Sequence, residues 1–251
     1  MPQLQAPRGT RDLLPADAAA FDRLGAVIRA RALRYGYPSI STPLLEDREV
    51  FVKGSGETSD IVGYEMFEVS LHGQAGLSLR PEGTPAVARA LLQHGGHRLP
   101  RPIRYAYFEP MFRGQRPQLL RYRQFWQWGL ECFGAEEPSA DVEIVEFSNA
   151  LHVELGLTDT DLVVNTIGDA PCRPKIKEAL SAYFAQHRDA LSEPSRRRLE
   201  TNVLRILDSK DPQDREIVAG APTCTVCSAR RTAGTSTRSL RGSTASGSAT
   251  A

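Results

Sequence analysis

Residues 103–133, IRYAYFEPMFRGQRPQLLRYRQFWQWGLECF, decide the fold. Two runs rich in aromatic side chains, Ile103 to Phe112 and Tyr122 to Phe133, flank the polar stretch RGQRPQLLR, which is the pattern of two strands joined into a hairpin. Side chains along a strand alternate between faces, so residues two apart share one. On the second strand one face carries Arg121, Arg123, Phe125, Gln127, Gly129 and Glu131. The other carries Tyr122, Gln124, Trp126, Trp128, Leu130 and Cys132. The latter set is mainly apolar and predicts packing against helices. The former is charged and amide-rich, yet it holds a phenyl ring and a glycine that leaves room. Such a face reads in two ways: an exposed polar surface with ion pairs, or a cradle for a small ligand with an anionic end, a planar ring and a hydrogen-bonding group.

Around the hairpin the periodicity predicts separated helices and short strands. A helix from about Ala16 to Tyr35 places Phe21, Leu24, Ile28 and Ala32 on one stripe and stops at Gly36. Pro38 to Asp60 is turn-rich, Tyr64 to Ser70 alternates like a strand, and Leu77 to Arg80 is a second short one. Thr84 is placed to cap a helix with Pro85 at its first position, running to about His94 before Gly95-Gly96. Ser139 is placed to cap another that runs to Leu155 and closes at Gly156. Leu162 to Ile167 reads as a strand and Lys175 to Gln186 as a helix. No repeat of solenoid period is present. Helices interspersed with antiparallel hairpins predict an α+β fold rather than a doubly wound sheet.

Composition narrows the function. With 251 residues and a hydrophobic fraction of 41%, the chain can build a full core without staples. Lys and Arg number 31 against 30 Asp and Glu, so no global charge draws it to nucleic acid or membrane, and any such contact must come from a local patch. No apolar run reaches about 18 residues, which excludes a membrane-spanning helix. The opening MPQLQAPRGTRDLLP has no apolar secretory segment and four cysteines make no disulfide framework, so the expected location is the cytoplasm. Residues 223–251 differ from the rest: thirteen of twenty-nine are Ser or Thr, with four arginines and no acid, and the stretch predicts a disordered tail.

Several residues invite a chemical reading. Arg113 and Arg121 bracket the hairpin loop, either as a bidentate fork for a phosphate or as a solvated basic turn. Glu82 lies between Pro81 and Gly83 just before a helix, either as an acid favoured by the helix dipole or as a fixed carboxylate for an ammonium group. Cys224-x-x-Cys227 lacks a second pair at zinc spacing and reads as chance. The glycines of GSGETSD are followed by no Gly-Lys-Ser/Thr, so they make no phosphate loop. Arg196-Arg197-Arg198 reads as a solvated helix face.

Five segments in order, GTRDLLP (9–15), GYPSISTPLLEDREVFVKGSGETSDIVGYEMF (36–67), LRPEGTPAVAR (79–89), FEPMFRGQRPQLLRYRQFWQWGLECFG (108–134) and LRILDSKDP (204–212), together resemble bacterial histidyl-tRNA synthetases, which are class II aminoacyl-tRNA synthetases. The resemblance covers about residues 6–222. It implies an antiparallel sheet flanked by helices, incomplete at its C-terminal side, and a homodimer formed through the segment around Pro43. It also implies a histidine–tRNA ligase that uses ATP with Mg2+ on the phosphates, joins histidine to tRNA(His), and holds no metal on its own side chains. By resemblance Glu82 and Thr84 hold the histidine α-ammonium with Gln127 assisting, and Glu131 accepts a hydrogen bond from the imidazole N–H. Arg113 contacts the α-phosphate, Arg121 the outer phosphates, and Phe125 stacks on adenine; Arg113 and Arg121 are the catalytic pair. Residues 1–167 correspond to the N-terminal part of the catalytic domain and 168–222 to the start of an inserted helical region.

The chain departs from the family pattern at three places in the hairpin: Gln115 replaces a Glu, Trp126 a His, and Leu119-Leu120 a Lys-Gly pair. Past residue 222 the resemblance ends, and 223–251 reads as a frameshift product. The family's remaining motifs would then be missing, which predicts a truncated chain that does not charge tRNA. Two alternatives stand beside the ligase: the regulatory paralogue that serves as a non-catalytic subunit of ATP phosphoribosyltransferase, and a fragment without function.

Overall fold

The computed structural model describes residues 4–56, 59, 61–71, 73–164 and 170–222. The predicted tail at 223–251, with Cys224 and Cys227, lies outside them. The chain divides into two units after Leu162.

In the first unit, helix α1 (Pro15–Arg34) begins with Pro15 in its first turn and ends before Gly36, whose φ of 77° is a left-handed backbone that suits glycine. Strand β1 (Leu45–Asp47) runs into α2 (Arg48–Ser55), which Asp47 caps by accepting a hydrogen bond from the Glu49 N–H at 2.9 Å. A π-helical turn at Ile61–Glu65 precedes β2 (Phe67–Leu71), so the strand expected from Tyr64 starts three residues later. Strand β3 (Gln74–Leu79) lies between β1 and β2 in a three-stranded antiparallel sheet.

Helix α3 (Thr84–Gln93) takes Gly83 as its cap residue with no side-chain cap. Thr84 is therefore the first helical residue rather than the expected cap. The same correction holds for α4 (Pro138–Glu154), where Glu137 occupies the cap position and Ser139 lies inside the first turn. Strands β4 (Ile103–Phe112) and β5 (Gln124–Phe133) pair antiparallel in unbroken register from Ile103 opposite Phe133 to Phe112 opposite Gln124.

This ribbon organises the core. Its even-numbered face, with Ala106, Phe108, Trp128, Leu130 and Cys132, packs on Leu24, Val27, Ile28 and Ala32 of α1 and Phe147 and Leu151 of α4. Trp126 meets the ring of Phe21 at 5.0 Å between centroids. The odd-numbered face carries a smaller cluster of Tyr107, Met111, Phe125 and Phe133 against Val87 of α3. Buried Arg80 joins this ribbon to the segment around Pro43: its guanidinium donates to the carbonyls of Pro110 (3.0 Å) and Thr42 (2.6 Å), to the Thr42 hydroxyl (3.1 Å) and to Glu109 (2.8 Å). Leu162 to Val164 are not in a strand, and the rest of that expected strand lies outside the described residues.

The second unit is helical: α5 (Cys172–Gln186), α6 (Glu193–Thr201) and α7 (Pro212–Ala219). Ile176, Leu180, Phe184, Leu191, Val203 and Ile206 form its core. Beside that core, the fully buried Asp214 carboxylate accepts the Ser192 N–H and hydroxyl, each at 2.8 Å, the Ser195 hydroxyl at 2.6 Å, and the Ser209 hydroxyl. Burial by itself would raise the Asp214 pKa, but these donors outweigh it and hold the group down at about 2. Arg196 and Arg197 pair with Glu193 on the surface of α6.

Candidate functional site

The odd face of the β4–β5 ribbon and the start of α3 bring polar groups together around one aromatic ring. Tyr107 lies opposite Gly129 in the ribbon, and a Cβ added at Gly129 or at Gly83 would overlap the Tyr107 ring. Gly129 was expected to leave room for a ligand; that room is filled from within by Tyr107. The ring is 6% exposed, and its hydroxyl interacts with the side chains of Glu131 and Thr84. Burial, with the charge of Glu131 adding to it, pushes the Tyr107 pKa up to about 12, so the hydroxyl stays protonated.

Thr84 is exposed at the helix start, and its hydroxyl, instead of capping α3, donates to Glu131 at 2.7 Å. Burial raises the Glu131 carboxyl above its ordinary range and the nearby Glu82 charge adds to the rise; hydrogen bonds from Thr84 and Tyr107 oppose it. Glu82 accepts a hydrogen bond from the hydroxyl of Ser55. Gln127, four residues before Glu131 and on the same face, has its Oε1 buried with no hydrogen-bond partner. A buried acceptor in that condition costs roughly 1–3 kcal/mol, which makes it a place where a donor from a ligand would be welcome.

Arg113 and Phe125 form the other end. The Arg113 Nε donates to the Pro81 carbonyl at 3.0 Å, and the guanidinium sits 5.1 Å from the centroid of the Phe125 ring. Arg121 is placed differently from expectation. The β5 strand begins at Gln124, so Arg121 belongs to the loop, in a tight turn with backbone hydrogen bonds to Gln118 in both directions, and is exposed. Leu120 in that turn has φ 61°, a left-handed conformation that costs a non-glycine residue roughly 1–2 kcal/mol. Only Phe125, Gln127, Gly129 and Glu131 of the expected face are thus strand residues. Gln115, at the position of the family's Glu, donates through its amide to the Tyr122 carbonyl at 3.3 Å and ties the two ends of the loop.

The result is an acceptor-rich end (Glu82, Gln127, Glu131, with the Thr84 hydroxyl) and a cationic and aromatic end (Arg113, Phe125). The first suits a ligand bearing an ammonium and a second N–H group; the second suits a phosphate next to a flat ring. A family model described as Histidyl-tRNA synthetase matches residues 9–219. The chain belongs to the histidyl-tRNA synthetase family.

Among the members it is similar to, the histidine–tRNA ligase of Desulforudis audaxviator is 45% identical over 219 residues, which is 87% of this chain and 52% of that protein. The ligase of Limosilactobacillus fermentum is 41% identical over 220 residues, 87% of this chain and 51% of the relative. This synthetase-family chain therefore spans about half the length of the curated relatives it matches. The apo histidyl-tRNA synthetase of S. aureus superposes with a TM-score of 0.64 at 29% identity, over 88% of this chain and 56% of that one. A protein of Bacillus halodurans described as an ATP phosphoribosyltransferase regulatory subunit/histidyl-tRNA synthetase shares the fold, with a TM-score of 0.59 at 22% identity over 87% of this chain and 63% of the other.

Three residues built into this candidate site escaped the sequence. Tyr107 in an aromatic strand reads as core, and only the cross-strand register shows it facing Gly129. Ser55 lies 27 residues from Glu82, with no local pattern to join them. Arg80 sits within the LRPEGT motif, but nothing in the motif announces a buried guanidinium.

Proposed function

We propose that this chain carries the histidine- and ATP-binding face of a histidine–tRNA ligase, and that the 251 residues alone bind these substrates without charging tRNA. The observation that carries the reading is the orphaned Oε1 of Gln127 on the strand face that also presents Glu131, to which the Thr84 hydroxyl donates. Glu82 and Gln127 accept hydrogen bonds from the α-ammonium of histidine, and Thr84 accepts through a lone pair while its own proton stays on Glu131. Glu131 accepts the imidazole N–H, a bond that an isosteric apolar side chain cannot make. At the other end Arg113 lies along the α-phosphate and Phe125 under adenine, with Arg121 reaching the outer phosphates from the loop.

The reaction has two steps. A carboxylate oxygen of histidine attacks the α-phosphorus of ATP, pyrophosphate leaves, and histidyl-adenylate forms. A terminal hydroxyl of tRNA(His) then attacks the activated carbonyl and AMP leaves. The first step needs no protein base, because the nucleophile is already ionised. It needs alignment and a positive charge where the phosphate charge grows, and losing one such donor typically costs about 10²–10³ in rate. Mg2+ would arrive with the ATP phosphates and neutralise part of their charge.

Strand β5 pairs only with β4 among the described residues and is half-buried along its whole length, which leaves the outer side of the binding face open. That openness supports binding without efficient turnover. Residues 1–167 serve as the N-terminal part of the catalytic domain and 168–222 as the start of an inserted helical region. The exposed Leu44 and Leu45 next to Pro43 support a homodimer through that segment, and a cytoplasmic location goes with the proposed reaction. Among the described residues no helix is long and apolar enough to cross a membrane.

Titration calorimetry with histidine and with ATP tests the reading, together with histidine-dependent ATP–pyrophosphate exchange. Binding of both ligands with no exchange is expected. Histidine binding alone would favour the regulatory paralogue, binding of neither an inert fragment, and measurable exchange would overturn the claim that the 251 residues alone are inactive.

A further inference from the structure

We propose that Ser55 is a positioning residue for the α-ammonium of histidine, acting through Glu82; this rests on the role just given to Glu82. The helix α2 ends on Ser55, and its hydroxyl donates to Oε1 of Glu82. That contact exists because α2 comes unusually near the start of α3: a Cβ added at Gly54 would lie 2.7 Å from Cβ and Cγ of Pro85. On its other flank, Gly83 lies against the Tyr107 ring, where no Cβ fits. The start of α3, which follows Glu82 directly, is thus wedged at Gly83 and Pro85 by two approaches that only glycine permits, so the backbone next to Glu82 has little freedom to slide. What remains is rotation of the carboxylate, and the Ser55 hydroxyl fixes it. A neutral donor on Oε1 leaves the carboxylate its full negative charge and leaves Oε2 to accept from an ammonium. A lysine or arginine in place of Ser55 would neutralise that charge. A residue with no donor would let the group turn toward solvent and pay for its ordering only when the ligand arrives.

A purely structural role for Ser55 would disturb every ligand alike, whereas positioning of Glu82 matters only to a ligand with an α-amino group. The test is titration calorimetry on the full 251-residue chain with L-histidine and with imidazolepropionate, which lacks that group. Ser55→Ala is expected to weaken histidine binding about five- to tenfold and leave imidazolepropionate unchanged. Ser55→Thr, which keeps the hydroxyl, restores histidine binding, and Gly54→Ala, which pushes the helix end off Pro85, reproduces the loss. Unchanged histidine binding in Ser55→Ala overturns the proposal, as does an equal loss for both ligands or failure of Ser55→Thr to rescue. If the wild-type chain binds imidazolepropionate as tightly as histidine, the ammonium role of Glu82 fails and this inference falls with it. That result is distinguishable from a wild type that prefers histidine while Ser55→Ala does not care.

Discussion

Glu131 in the first unit and Asp214 in the second are both carboxylates drawn out of water and surrounded by hydroxyl groups, yet they shift in opposite directions. Burial raises Glu131, and the neighbouring Glu82 charge raises it further against two opposing hydrogen bonds. Asp214 also meets burial first, but a backbone N–H and three serine hydroxyls reverse its effect and hold it at about 2. The contrast separates two uses of one functional group. A carboxylate supplied with donors on every side is complete and serves the fold. One left short of donors, near a second acid and on the same strand face as an unpartnered amide oxygen, is in a state that a cationic ligand would relieve.

Three experiments bear on the contrast. The largest effect is expected from Asp214→Ala, which strips the acceptor from the Ser192 N–H and from the hydroxyls of Ser192, Ser195 and Ser209, and should cost about 3 kcal/mol in urea denaturation. The pH dependence follows the same logic. With a folded pKa of about 2 against an ordinary 3.8, the contribution of Asp214 is fully present above about pH 4 and is lost as pH falls toward 2. A loss under about 1 kcal/mol in the variant would mean the network is ornamental.

Next in size, Gly129→Ala forces a methyl group into the Tyr107 ring and should cost about 2 kcal/mol from overpacking. Because Tyr107 also touches Glu131 and Thr84, histidine affinity in calorimetry should fall about tenfold. Full affinity in a destabilised variant would remove Tyr107 from the site.

The smallest effect has the opposite sign. Glu131 has a raised folded pKa, so the folded chain holds that proton more tightly than the unfolded one, and stability declines as pH climbs from 4.5 through the folded value. Glu131→Gln should erase that slope, gain up to about 1 kcal/mol at neutral pH in thermal melts, and abolish preferential histidine binding. A net loss of stability at neutral pH would put Glu131 in the same class as Asp214 and break the comparison.

The parts of this architecture that alternate or recur locally were legible from the chain. The ribbon was readable because two aromatic-rich runs flank a polar loop and the second run divides into an apolar and a polar face, and so was the packing of Trp126 and Trp128 against helices. The helix caps were not. Thr84 has the chemistry of a cap, but its hydroxyl goes to Glu131, a partner 47 residues away that no local window contains. The π-helical turn before Phe67 was likewise invisible, since Tyr64, Met66 and Glu68 mimic alternation. Within the candidate site, Phe125, Gln127 and Glu131 could be placed on one face from spacing alone. Arg121 could not, because the strand starts later than its residue types suggest and the turn at Leu120 takes the preceding residues out of register with it. The Asp214 network gathers serines from 192, 195 and 209, each ordinary in its own context.

Arg80 adds a thermodynamic constraint. One guanidinium clasps the carbonyl of Thr42, next to Pro43, and the carbonyl of Pro110, three residues along β4 from Tyr107. In the proposed dimer, a sister subunit that grips the Pro43 segment would bear on strand β4 through this one side chain. Affinity for a small amino acid and affinity between protomers would then belong to one thermodynamic cycle, each changing the other by the same factor.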